Sequence, residues 1–194
     1  MMKYKIGLLL LLCSPFWALC QVKREQEFRI DREQFPDAAF SQIEEYVANA
    51  KRIRFYQELD STKKSYEAKF KKGRLHYSVE FNEKGKLEDV EFIITERDIP
   101  EDSWNAITDH LHAEYPKFRI RKIQQQYPLD DRDPKKTLHD AFQNLILPYI
   151  NYELVFSAKK DKGFQTYEAL FNSEGTLINI RKSSPLSYDH VLYP

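Results

Sequence analysis

YSVEFNEKGKLEDVEF, residues Tyr77 to Phe92, and YEALFNSEGTLINIRK, residues Tyr167 to Lys182, are two spellings of one hairpin. Tyr77, Phe81, Asn82, Gly85 and Leu87 recur identically as Tyr167, Phe171, Asn172, Gly175 and Leu177. In the first copy Tyr77, Val79 and Phe81 alternate with Ser78 and Glu80, the period of two that marks a strand with one buried face. Asn82-Glu83-Lys84-Gly85 and Asn172-Ser173-Glu174-Gly175 supply turn chemistry, with glycine able to take a positive φ. Past the turn the apolar parity changes, from Leu87 to Val90 and Phe92 and from Leu177 to Ile180. One extra residue, a bulge just beyond the turn, accounts for both shifts.

The repetition extends outward from the hairpin. Phe35-Pro36-Asp37 aligns with Ile99-Pro100-Glu101, which places Phe40 on Trp104, Ile43 on Ile107 and Val47 on Leu111. The spacing i, i+3, i+7, with proline at the first helical position and acids in the first turn, predicts one helix in each copy. Strand-like RIRFYQEL from Arg52 and FRIRKIQQQY from Phe118 follow, and YEAKF at Tyr66 to Phe70 matches YELVF at Tyr152 to Phe156. Neither copy is large enough to be comfortable alone. ITERDIP joins them without a Pro/Gly/Ser-rich linker. The expected architecture is α+β: two tandem units of helix plus antiparallel strands, residues 21–95 and 96–184, forming one continuous curved sheet of about eight strands with helices on one face.

The copies disagree between Tyr127 and Tyr152. Asp133 reads as an N-cap with Pro134 behind it, and Leu138, Ala141, Phe142, Leu145 and Ile146 form a helical stripe ended by Pro148, which predicts an inserted helix near 134–147. The second copy also loses polarity on its outward face, where Val155, Leu170 and Ile178 stand opposite the core positions. Either the inserted helix folds over them, which is the expectation, or they form an exposed patch that binds a partner.

Residues 1–20 read as an export signal: Lys3 and Lys5, an apolar run from Ile6 to Leu12, and a small-residue cleavage site ahead of Gln21. The run is shorter than the roughly 20 residues a membrane span needs. Leu19 before Cys20 makes a lipoprotein signal the weaker reading. The expected location is therefore periplasmic or secreted. Both cysteines fall in this leader, leaving no thiol for a disulfide or metal site. Without the leader the net charge is −2, which gives no case for a nucleic-acid binder. The ten-residue tail at 185–194, which ends in SYDHVLYP, carries no readable role.

An export signal followed by tandem units of helix, then the YE-initiated strand, then Y...FN..G.L resembles the PepSY-like domains grouped as beta-lactamase-inhibitor-like secreted proteins. The resemblance covers residues 34–182. It rests on Pro36 and Pro100, on Tyr66, Phe70, Tyr152 and Phe156, and on the Tyr/Phe/Asn/Gly/Leu sets of the hairpins. It implies one curved sheet from two units, with a concave face that in the inhibitor grips an enzyme. It carries no inhibitor contact onto a numbered position here.

The residues assign no catalytic group, cofactor or metal site. His110 and His112 are two apart on a helix and point to different sides. DDRD at Asp130 to Asp133 lacks the glycine and distal glutamate of an EF-hand and reads as a loop with a helix cap. Lys63, Lys64, Lys69, Lys71, Lys72 and Arg74 cluster around the first hairpin, but interspersed acids make this a solvated strand face rather than a phosphate site. The reading is a non-catalytic exported module that binds or inhibits an envelope or secreted protein. Its candidate face comprises Ser78, Glu80, Val155, Glu168 and Leu170, with no nucleic acid, no membrane span and an open oligomeric state. The alternative is a small-ligand binder or accessory enzyme with a pocket between sheet and helices.

Overall fold

Asn82 makes the first turn: its Oδ1 accepts from the backbone N–H of Lys84 at 2.9 Å and of Lys86 at 3.1 Å, while Gly85 sits at φ +70°. Asn172 repeats this with Glu174 and Thr176, and Gly175 sits at φ +82°. Four strands flank these turns: β5 (Leu75–Asn82), β6 (Leu87–Ile93), β9 (Gly163–Asn172) and β10 (Leu177–Ser183). Phe81 pairs with Leu87 but Glu80 with Asp89, so Glu88 is the extra residue; Phe171 pairs with Leu177 but Leu170 with Asn179, so Ile178 is. The bulge expected past each turn is present in both hairpins.

The computed structural model describes residues 22–23, 25–60, 63–160 and 163–183; the export signal at 1–20 and the tail at 185–194 lie outside the described residues. Its remaining strands are β1 (Val22–Lys23), β2 (Glu25–Ile30), β3 (Lys51–Asp60), β4 (Lys63–Lys72), β7 (Phe118–Pro128) and β8 (Asn151–Lys160). All ten belong to one sheet, in the order β1-β10-β9-β8-β7-β6-β5-β4-β3-β2. Nine strands pair antiparallel, and the two-residue β1 pairs parallel with β10. Corresponding pairs keep one register: Tyr66 faces Phe81 and Phe70 faces Tyr77, as Tyr152 faces Phe171 and Phe156 faces Tyr167. The α+β fold with a single curved sheet stands. β2, from EQEFRI, is a strand beyond those read from the sequence.

A single residue separates β1 from β2, yet the two lie at opposite ends of the strand order. One chain segment therefore reaches both edges of the sheet, which the sheet permits only by curling strongly. Strand twist of one hand accumulates across nine strands and supplies that curl.

Helices α1 (Asp37–Val47), α2 (Glu101–Glu114) and α3 (Pro134–Phe142) pack on the face that carries Phe55, Phe70, Tyr77, Phe81, Phe92, Tyr127, Tyr152, Phe156 and Phe171. Their buried stripes are Ala39, Ile43 and Val47 in α1 and Ser103, Ile107 and Leu111 in α2; Phe40 and Trp104, read as stripe positions, are only partly buried. Small residues take the innermost place because the hairpin turns press there. A Cβ on Gly175 would lie 2.4 Å from the Ser103 carbonyl oxygen, and one on Gly85 3.0 Å from the Ala39 nitrogen. Gln42 Nε2 donates to the Gly85 carbonyl and Ser103 Oγ to the Ser173 carbonyl, both at 2.7 Å, fastening each turn to its helix.

Two expectations about the inserted helix need correction. It ends at Phe142 rather than near 147, because Asn144 adopts φ +53° and turns the chain; Leu145 and Ile146 lie beyond it and are exposed. Nor does it cover Val155, Leu170 and Ile178. Leu138 and Ala141 join the core on the helix face, and the Phe142 ring stacks on Tyr46 at 4.1 Å and tilts against Tyr77 at 4.8 Å. Its apolar stripe thus fills space beside α1 on the face already apolar, where burial gains more than it would over the charged face opposite.

Candidate binding face

Alternation along each strand sends every second side chain to the face without helices. That face carries Glu27 from β2, Tyr56 and Glu58 from β3, Ser65, Glu67 and Lys69 from β4, and Ser78 and Glu80 from β5. It continues through Asp89 and Glu91, Lys122, Gln124 and Gln126, Asn151, Glu153 and Val155, to Glu168, Leu170 and Arg181. A sheet face with no helix over it ordinarily leaves such groups in water. Here Glu67, Ser78, Glu91, Gln124 and Glu168 are all buried. The curl of the sheet accounts for this: the face is concave, and its side chains crowd one another.

In the first half of the cup, Glu27, Glu58 and Glu67 bring carboxylate oxygens within 4.8 Å of one another. This trio could in principle ligate a cation, but Lys69 already supplies one. Its Nζ lies 2.8 Å from both Glu27 Oε1 and Glu67 Oε2 and 4.8 Å from the centre of the Tyr56 ring. Ser78 Oγ donates to Glu67, and Ser65 Oγ to Glu58 at 3.4 Å. Burial works against both charges, yet Lys69, Glu58 and Ser78 together hold the Glu67 carboxyl below its usual range. Burial likewise opposes the Lys69 ammonium, and Glu67 and Glu27 outweigh it to raise its pKa. Lys69, expected on a solvated face, is thus the internal counterion of the cup. Elsewhere in the basic cluster Lys63 pairs with Glu88 at 2.9 Å, and Lys72 donates to the Tyr46 carbonyl.

At the centre, where β6 meets β7, Gln124 Nε2 donates to Glu91 Oε2 at 2.7 Å. Gln126 Nε2 reaches Asp89 Oδ2 at 3.1 Å and Glu91 Oε1 at 3.0 Å, and Asn151 Nδ2 donates to Gln126 Oε1. Burial, with Glu80, Glu91, Glu153 and Glu88 adding to it, pushes the Asp89 carboxyl well above the usual carboxylate range.

All five residues read as the candidate face lie on this concave side, at two places. Ser78 is buried and spent on Glu67, and half-buried Glu80 stands opposite Asp89. Val155 is buried opposite Glu168, which Arg181 holds through Nε at 2.8 Å; Leu170, half-buried, sits between Glu153 and Asn179. Lys69, Glu67, Asp89, Glu91 and Gln124 were missed. Their only signal is polar alternation in YEAKF, LEDVEF and IQQQY, which reads equally as a wet strand face.

On the helix side, a cavity of about 440 Å³ is lined by Thr95, Glu96, Arg97, Trp104, Ile120 and Ile123. His110 lies against Phe171 and His112 against Phe118, on different strands. Asp133 Oδ1 accepts from the backbone of Lys135 and Lys136 as a helix cap. No helix among the described residues is long and apolar enough to cross a membrane.

No family model and no curated protein matches the chain. Solved structures do. A DUF2874 family protein from Bacteroides ovatus superposes with a TM-score of 0.52 at 15% identity, covering 76% of this chain and 87% of that one. A protein from Bacteroides eggerthii described as periplasmic gives 0.50 at 14% identity, covering 76% and 88%. A BLIP-like protein from Bacteroides fragilis gives 0.48 at 12% identity, covering 82% and 93%. At these identities the similarity shows the fold alone.

Proposed function

We propose that the chain is a non-catalytic, exported protein-binding module of the cell envelope, built from the two units at residues 21–95 and 96–184, and that the concave face receives the partner. One observation carries the reading: all three helices pack on one side of the sheet, while the other side is curled inward, rich in charged groups and half open to solvent. A polar sheet face left without a helix offers a partner both a shape and a charge pattern to complement. The periplasmic description of the Bacteroides eggerthii structure is consistent with export.

A photo-crosslinking residue at Leu170, inside the cup, is compared with one at Asp109, exposed on α2. A single protein adduct from position 170 and none from 109 supports the reading. Adducts from neither, together with a metabolite that raises the melting temperature, support the second reading. That reading is a small-ligand binder using the cavity beside Trp104, which the convergence of Thr95, Glu96 and Arg97 on an apolar wall favours.

A further inference from the structure

We infer that the cavity beside Trp104 is a site for a small organic cation, a guanidinium or alkylammonium head on an apolar body; this names a ligand class for the small-ligand reading and rests on it, not on the docking face. The chain's own repetition carries the inference. In the first copy a 3-10 turn at Arg32–Gln34 precedes α1 and is closed by a capping box between Asp31 and Gln34; in the second, Glu96–Asp98 precedes α2 with the same box between Thr95 and Asp98. The offset is that of Pro36 on Pro100, so Arg32 corresponds to Glu96, Asp37 to Glu101 and Phe40 to Trp104. Arg32 is a cation seated in a receptor. Its guanidinium carbon lies 3.8 Å from the centre of the Phe40 ring, Nη2 donates to Asp37 Oδ1 at 3.0 Å, and Nη1 donates to the Phe35 carbonyl at 3.2 Å.

The second copy keeps the ring and the acid and exchanges the cation. An indole stands in place of the Phe40 ring, which strengthens the attraction for a positive charge, and Glu101 stands in place of Asp37. Where the first copy has Arg32, the second has Glu96, itself an acid, and Glu96 and Trp104 both line the cavity of about 440 Å³. The volume has its cause in the same comparison. Phe55 faces Ala68 and Ile123 faces Leu154, at matching places in YEAKF and YELVF, so Ile123 corresponds to Phe55, as Ile99 does to Phe35. In the first copy those two rings pack at 4.7 Å, and Phe55 lies 6.1 Å from Phe40. Two isoleucines fill less space than two phenylalanines, so room opens beside Trp104 against Ile120 and Ile123. An occupant that reproduces the first copy brings a charged nitrogen over the ring and an apolar body against the isoleucines. Arg97 also lines the cavity, in the place of Glu33, but no cation among the described residues lies over the Trp104 ring. Residues 96–102 set Glu96, Asp98, Glu101 and Asp102 against Arg97, so the approach favours a positive ligand over a negative one.

Trp17 and Trp104 are the two tryptophans, so in the full chain carrying Trp17→Phe the indole emission reports on the cavity. Butylguanidinium is titrated beside its neutral isostere butylurea and the anion pentanoate. The expected result is a saturable change in Trp104 emission with butylguanidinium, binding of butylurea weaker by about fivefold or more, and no response to pentanoate. Glu96→Gln should weaken the cation about threefold, the effect of losing one partly exposed charge partner. Glu96→Arg should rebuild the arrangement of the first copy, with its own guanidinium over Trp104, so that butylguanidinium no longer binds. Glu96 is exposed, so neither variant should unfold the chain, which the melting temperature checks. Equal binding of butylguanidinium and butylurea, a response to pentanoate, or binding unchanged in Glu96→Arg overturns the inference and leaves the cavity to a ligand of another class. No response to any probe overturns it as well. A metabolite that raises the melting temperature would then still support the small-ligand reading, and an adduct from position 170 the docking one, so the three fail separately.

Discussion

Replacing Lys69 by methionine keeps the aliphatic stem over Tyr56 and removes the one cation that Glu27 and Glu67 share. The ammonium makes two ion pairs of 2.8 Å, from a side chain 23% exposed, to carboxylates 15% and 5% exposed. Leaving one partner of a buried pair uncompensated costs about 3–5 kcal/mol. Solvent reaching Lys69 and Glu27 reduces the expectation to about 2–4 kcal/mol, which lowers the melting temperature by on the order of 10 °C in a chain of this size. The pH dependence carries the sharper test. In the native protein Glu67 has a lowered pKa, so its contribution is present above the unfolded value of 4.5 and lost as pH falls through the folded one. Lys69 has a raised pKa, so its contribution is fully present below 10.5 and lost only as pH climbs through the folded value. Both are intact near neutrality. In Lys69→Met the Glu67 carboxyl keeps its burial and loses the cation, so its pKa rises, the folded state binds the extra proton, and stability grows as pH falls. Urea unfolding followed by circular dichroism at about pH 8 and about pH 5 should show the larger loss at the higher pH. A loss under about 1 kcal/mol, or one equal at both pH values, would refute the assignment of Lys69 as internal counterion.

Gly175→Ala should cost about 2–4 kcal/mol, because its Cβ would meet the Ser103 carbonyl at 2.4 Å with φ at +82°, whereas Gly73→Ala, at φ +59° in open space, should cost about 1 kcal/mol. Equal urea midpoints for the two variants would sink the claim that the turn presses on α2. Tyr127→Phe removes a hydroxyl that accepts from Gln125 at 2.6 Å and donates to the Leu145 carbonyl at 2.8 Å, and should cost about 1–2 kcal/mol. Amide exchange across 143–148 should quicken in that variant, since the bond to Leu145 ties that turn to β7.

The hairpins and their bulges were legible because an apolar period of two and an N-x-x-G turn are local signals, written in contiguous residues. The helix positions were legible as well, Ile43, Val47, Ile107 and Leu111 among them, though the first position of each stripe was one residue off: Ala39 and Ser103 are innermost because Gly85 and Gly175 approach from elsewhere in the chain, a contact that no window of α1 or α2 contains. β2 went unread because Glu27 and Arg29 are charged, and a strand whose wet side turns into a cup looks like no strand at all. The same blindness explains the site. Lys69 and Asp89 occupy outward positions by parity, and outward means solvent only when the sheet is flat. Curvature belongs to the whole sheet, so the sequence placed Ser78 and Glu168 on the side away from the helices while leaving their burial unseen. The destination of α3 was misjudged for a related reason: uncovered Val155 invited a cover, which the sheet itself provides.

The pairing of Val22 with Lys182 and Lys23 with Ser183 joins residues 160 apart, beside a β2 that pairs only with β3. Closing so long a loop is the most entropically demanding contact in the fold, and it forms after the local hairpins. Until then β3 and β10 each present a free row of backbone donors and acceptors, the template on which sheets add foreign strands. The segment at 22–30 occupies part of both rows at once. Loss of these nine residues would therefore change how the protein behaves at high concentration more than how it folds when dilute.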